Sequence, residues 1–174
     1  MIARQWVKIL HSLGAIGLMG AVAAYIVLLS VAPDPSSLAE YAILRRGLEA
    51  IARYLLLPSL ALVLISGLLS MAVHTPFLER KWAWIKAVLG IAMFEGTLGG
   101  VQAPAEQAAK VMEAALTSEL NVVALEDLMR HEWGALWVIL ALSLANVVLA
   151  IWRPPLRWPK PRPESPPTVG STNA

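Results

Sequence analysis

KWAWIKAVLGIAMFEGTLGG, residues 81–100, has the length and apolarity of a membrane span, yet it carries Lys86 near its start and Glu95 past its middle. About 20 apolar residues at 1.5 Å each cross a hydrocarbon core of about 30 Å. An ionised side chain near the bilayer centre costs on the order of 2.5 to 3.5 kcal/mol. Lys86 and Glu95 are nine residues apart, so they face opposite sides of one helix, separated by about 13 Å along it. They do not pair with each other, and each needs its own reason to be there.

The rest of the chain agrees with a membrane reading. It is 57% apolar and 15% charged, with a mean hydropathy of +0.63, far from an average soluble domain. Apolar runs at 9–32, about 50–73, 82–101 and 133–152 predict four spans, hence an all-α integral membrane four-helix bundle over residues 1–153. The first run is much longer than a signal-peptide core and lacks a cleavage site, so it reads as a retained helix.

Placing the N-terminus inside puts nine of the fourteen Lys and Arg residues on the cytoplasmic side. Both termini are then cytoplasmic, in what reads as a bacterial inner membrane. Trp6, Trp82, Trp84, Trp152 and Trp158 fall near the inner boundary, Trp133 and Trp137 near the outer one. Arg45, Arg46 and Arg53 make the first outer connection basic, against that trend.

Residues 103–130 hold apolar positions at helical intervals between carboxylates. One or two amphipathic helices are expected there over the outer mouth, as a lid or as a plain connector. Residues 154–174 are too rich in proline to form a helix and read as an extended tail. The chain has no cysteine, which removes disulfides, thiolate metal sites and covalently attached haem. Nothing points to a nucleic-acid partner, and the first partner is the lipid bilayer itself.

Three intramembrane groups are candidates for chemistry. Glu95 reads either as a proton carrier or as a structural carboxyl, with Arg53 or Arg46 as the available cation. Lys86 reads as a lysine snorkelling among Trp82 and Trp84, or as a cofactor contact. His11 shares a helix face with Gly14, Leu18, Ala21 and Tyr25 in a run of small residues. That face suits close helix packing, a transition-metal site, or a haem whose iron His11 ligates. His74 lies nearer the same surface. Met19, Met71 and Met93 are dispersed, which argues against a copper route.

KILHSLGAIGLMG in span one, ILRRGLEAIARYLLLPSLALVLISGLL through span two, WAWIKAVLGI in span three and RHEWGALWVILALSLANVVLAIWRP in span four together resemble the HemJ-type protoporphyrinogen oxidases and CopD-like membrane proteins. The resemblance covers about residues 7–154 through widely spaced positions. It implies a haem-associated region around His11 and Lys86, and a role for Arg45 or Arg46 ahead of Pro58 and Gly67. A histidine that HemJ-type proteins carry late in span three is replaced by Glu95.

The expectation is a b-type haem protein serving electron transfer or oxidation of a hydrophobic tetrapyrrole. Its cofactor contacts would be His11, Lys86, Gly14 and His74, and its functional charges Glu95, Arg45 and Arg46. An electron-transfer partner or a second copy of the chain would complete it. The alternative is a non-catalytic membrane subunit or a CopD-like metal or transport component.

Overall fold

The computed structural model describes residues 2–33, 37–73, 81–115 and 122–152. The proline-rich tail and His74 lie outside the described residues. Among those described there is no strand; the chain is a bundle of four long helical rods. The first is α1 (Ile2–Ser30) and the last is α6 (Val122–Trp152). The second joins α2 (Leu38–Ile51) to α3 (Leu57–Val73), and the third joins α4 (Lys81–Thr97) to α5 (Ala103–Ala115). All four are long and apolar enough to cross a membrane. Large apolar side chains such as Ile16, Ile65, Val88 and Leu144 are exposed on their outer faces. In water this surface would be an aggregation liability; in lipid it is a solvated face. The protein is an integral membrane protein.

The middle rods do not match the expected spans. Residues 38–73 and 81–115 are continuous runs of 36 and 35 residues, roughly 54 and 52 Å at 1.5 Å per residue, beyond the 40–45 Å of a whole bilayer. Their surplus forms a head at one end. Tyr41, Ala42, Ala108, Met112 and Leu125 make a small core there, where α2 and α5 meet the start of α6. The basic "connection" with Arg45, Arg46 and Arg53 is therefore helix. The amphipathic stretch expected across the mouth instead continues span three and opens span four, with 116–121 outside the described residues. Amphipathicity was the right signal for a half-buried helix, but a second amphipathic helix, α2, covers its apolar side rather than lipid.

Each middle rod is interrupted by one π turn, Ala52–Leu56 and Leu98–Gln102. The Leu57 N–H donates to the Ala52 carbonyl and the Ala103 N–H to the Leu98 carbonyl, five residues back in both. The cause is legible in the chain: Pro58 and Pro104 each follow their π turn at the same spacing. Proline has no N–H, and its ring crowds the carbonyl four residues earlier, here Tyr54 and Gly100, so the helix widens locally.

The main core runs through Leu18, Val22, Tyr25, Leu48, Leu56, Leu60, Met93, Val101, Leu136 and Ile139, drawn from all four rods. α1 and α3 approach closely where α1 carries glycine. A Cβ on Gly14 would stand 2.9 Å from Val63 Cγ2 and 3.0 Å from the Ser59 carbonyl oxygen. The small-residue face of α1 is thus filled by another helix.

Candidate functional site: a histidine cavity and a buried ion pair

At the end of the bundle where α1 begins, α1, α3, α4 and α6 diverge around a cavity of about 560 Å³. This lies within the range of ligand pockets. Its walls are mainly apolar, and its polar groups are few: Lys8, His11, Ser70, Lys86, Ser143 and Asn146 stand out.

His11 is half-buried and held from α3. Its Nδ1 lies 3.1 Å from the Val63 carbonyl oxygen and 3.1 Å from Ser66 Oγ. Ser66 Oγ itself donates to the Leu62 carbonyl, so its lone pairs remain available to His11. A carbonyl can only accept, so Nδ1 carries a proton, and in the Nδ1–H tautomer the lone pair is on Nε2. The ring lies beside Gly67, where a Cβ would come within 3.6 Å of His11 Cε1. An alanine there would touch the imidazole at ordinary van der Waals distance. A backbone carbonyl fixing one ring nitrogen while the other is kept basic is how metal-ligating histidines are oriented.

Lys86 lines the same cavity from α4, and Lys8 from one turn before His11 on α1. Met19, Met71 and Met93 also reach the wall. Met19 is eight residues beyond His11 on α1, about 12 Å along the axis. The three methionines, dispersed in the sequence, thus line one cavity with His11. Among the described residues no group of three or more His, Asp or Glu side chains could hold a bare metal ion.

Arg45 belongs to a different site. Its side chain and that of Glu132 are wholly buried, joined by Nη1 to Oε2 at 2.9 Å and Nη2 to Oε1 at 2.8 Å. Tyr25, also fully buried, donates its hydroxyl to the same Oε1 at 2.8 Å. Three rods are pinned at one carboxylate: α1, the second rod and α6. Tyr25 is fourteen residues from His11 on a straight helix, about 21 Å away. Arg45 therefore does not reach the cavity, and its position is that of a lock between helices. Arg46 is exposed and pairs with the exposed Glu113 at 2.9 Å, likewise remote from His11.

Glu95 is exposed on the outer face of α4 and does not line the cavity. Its expected cation, Arg53, lies over the Tyr54 ring at 5.7 Å, and no ion pair joins it to Glu95 among the described residues. Gly14 also does not line the cavity: α3 occupies the space a flat ligand was expected to take. Of the expected cofactor contacts, His11 and Lys86 come together, Gly14 does not, and His74 is outside the described residues.

Sequence reasoning missed Glu132, taken as one acid among many in a connection, and it missed Ser66, Ser143 and Asn146. Glu132 had a signal: it opens the apolar run EWGALWVIL and would be the first carboxylate drawn into the bundle. Comparison of the chain with protein-family models, curated proteins and solved structures finds no match.

Proposed function

We propose that the cavity holds a flat, carboxylate-bearing tetrapyrrole, haem b in the first instance, and that the protein serves electron transfer or oxidation of a hydrophobic tetrapyrrole at the inner side of a bacterial cytoplasmic membrane. The observation that carries this reading is His11: Nδ1–H held by Val63 and Ser66, and the Nε2 lone pair left for a ligand in an apolar cavity. The sequence resemblance to HemJ-type proteins points the same way.

In this reading His11 would hold the iron through Nε2. Lys86 and Lys8 supply ammonium groups for the propionates, where a charged pair in a low-dielectric mouth is strong. Apolar wall residues such as Leu64, Met93 and Val147 would exclude water from the bound group. Haem supplies one-electron redox chemistry when bound. Arg45 and Glu132 take no part in that chemistry and hold the helices that shape the cavity.

Titration of the detergent-purified protein with haem and with its dimethyl ester tests this. Haem should bind more tightly than the ester by about tenfold, one ion pair's worth of roughly 1.4 kcal/mol, and Lys86→Met should remove most of that difference. His11→Ala should weaken both, whereas His131→Ala at the far end should change neither, since His131 is exposed and bonded to the Asp127 carbonyl. Equal binding by wild type and His11→Ala would remove the axial role.

A further inference from the structure

Four buried side-chain atoms have no hydrogen-bond partner among the described residues: Arg45 Nε, Thr97 Oγ1, Gln102 Oε1 and Ser143 Oγ. Thr97 and Arg45 are fully buried and Ser143 is 6% exposed. An orphaned polar group in a dry interior costs on the order of 1–3 kcal/mol, so four of them in one small bundle require a cause.

Their order along the bundle supplies one. Ser143 lines the histidine cavity. The Asn146 amide donates to Met93 Sδ at 3.5 Å, which sets those two residues level on α6 and α4. Ser143 is three residues beyond Asn146 and Thr97 four beyond Met93, about 4.5 and 6 Å toward the head. The two hydroxyls therefore lie at nearly one depth on packed helices.

Gln102 follows Thr97 by five residues. In a regular α-helix that step turns the side chain about 140° away, but at the roughly 4.4 residues per turn of a π-helix it leaves both on one face. The π turn imposed by Pro104 thus puts Gln102 in line with Thr97, about 7 Å further on. Gly100 abuts Ala135, where an added Cβ would meet Ala135 Cβ at 2.6 Å. Glu132, three residues from Ala135, is then level with Gln102 to within about 1.5 Å.

We infer that Ser143, Thr97 and Gln102 hold a file of buried water that runs from the histidine cavity to the Arg45–Glu132–Tyr25 cluster. Water bonded at about 2.8 Å to each of these groups would satisfy them. The ion pair closes the far end. The inference does not depend on which molecule the cavity holds.

Water-edited solid-state NMR of the full chain in lipid bilayers tests it, with the Arg45 Nε–H resonance assigned by its loss in Arg45→Lys. In wild type this proton should receive magnetisation from water at least fivefold faster than the amide of buried Leu136. Thr97→Val combined with Gln102→Leu, both close in shape to the residues replaced, should slow it to the Leu136 rate while the rest of the spectrum is kept. Wild-type transfer as slow as that of Leu136 would overturn the inference. So would fast transfer unchanged by the two substitutions, because water would then enter from the head. The single variant Thr97→Val gives a second reading: a hydroxyl in a dry core would raise the melting temperature on replacement by methyl, and a hydroxyl that holds water would not.

Discussion

Removing one member of the Arg45–Glu132 pair should be the most damaging single change in the bundle outside its apolar core. Glu132→Ala leaves a guanidinium with no accessible surface, stripped of two charge-assisted hydrogen bonds at 2.9 and 2.8 Å. The Tyr25 hydroxyl loses its acceptor at the same time. Breaking a buried pair in this way costs about 3–5 kcal/mol, against a total stability of 5–15 kcal/mol for a typical domain. Replacing both partners with apolar side chains is a different perturbation. Arg45→Met with Glu132→Leu removes both desolvated charges, and such replacements are often neutral. The double variant should recover at least half of what Glu132→Ala loses. Reversible unfolding in mixed micelles, followed by circular dichroism across wild type, both single variants and the double variant, measures this. A loss below about 1 kcal/mol in Glu132→Ala would refute the reasoning, since the pair would then be wet or poorly formed. A double variant no better than Glu132→Ala would show that Arg45 is not the source of the penalty.

Four further substitutions probe single contacts. Tyr25→Phe keeps the ring and loses one hydrogen bond to a carboxylate, so the same unfolding assay should report about 1.5–3 kcal/mol. Gly14→Ala introduces a Cβ 3.0 Å from the Ser59 carbonyl oxygen and the Val63 nitrogen. Backbone cannot yield as a side chain does, and overpacking of about 1–3 kcal/mol is expected, with haem binding weakened only as far as α1 is displaced. Glu95→Gln should leave haem titration unchanged within twofold, because Glu95 is exposed and does not line the cavity; Glu95→Lys should lower the yield of inserted protein, since a lysine at a lipid-facing mid-span position is costly.

Apolar run length was enough for the class of fold because a membrane demands it: the rods had to be helical and had to be four. It was not enough for helix ends. Arg45, Arg46 and Arg53 read as a connection only while charge is taken to mean water. Arg45 is buried by a partner 87 residues away, and such pairings leave no local periodicity. Pro58 and Pro104 were visible, but their shared spacing gains meaning only once both are seen to follow a π turn. His11 and Lys86 were legible because a polar side chain in an apolar run is conspicuous and the two fall at similar depth. Gly14 failed for a physical reason: a glycine near a histidine makes space, and sequence does not say whether a helix or a ligand takes it. Glu95 drew attention by its cost in lipid, and the structure turns it outward, away from the cavity it was expected to serve.

The central claim is that His11 holds a tetrapyrrole at one end of a membrane bundle. The most direct measurement is the reduced-minus-oxidised absorption spectrum of the full chain, purified in detergent from haem-replete cells, beside His11→Ala prepared identically and matched for helical content. The account predicts the bands of a b-type haem in wild type and their loss or displacement in His11→Ala. A wild-type protein that is colourless, and stays so after haem is added, would contradict it.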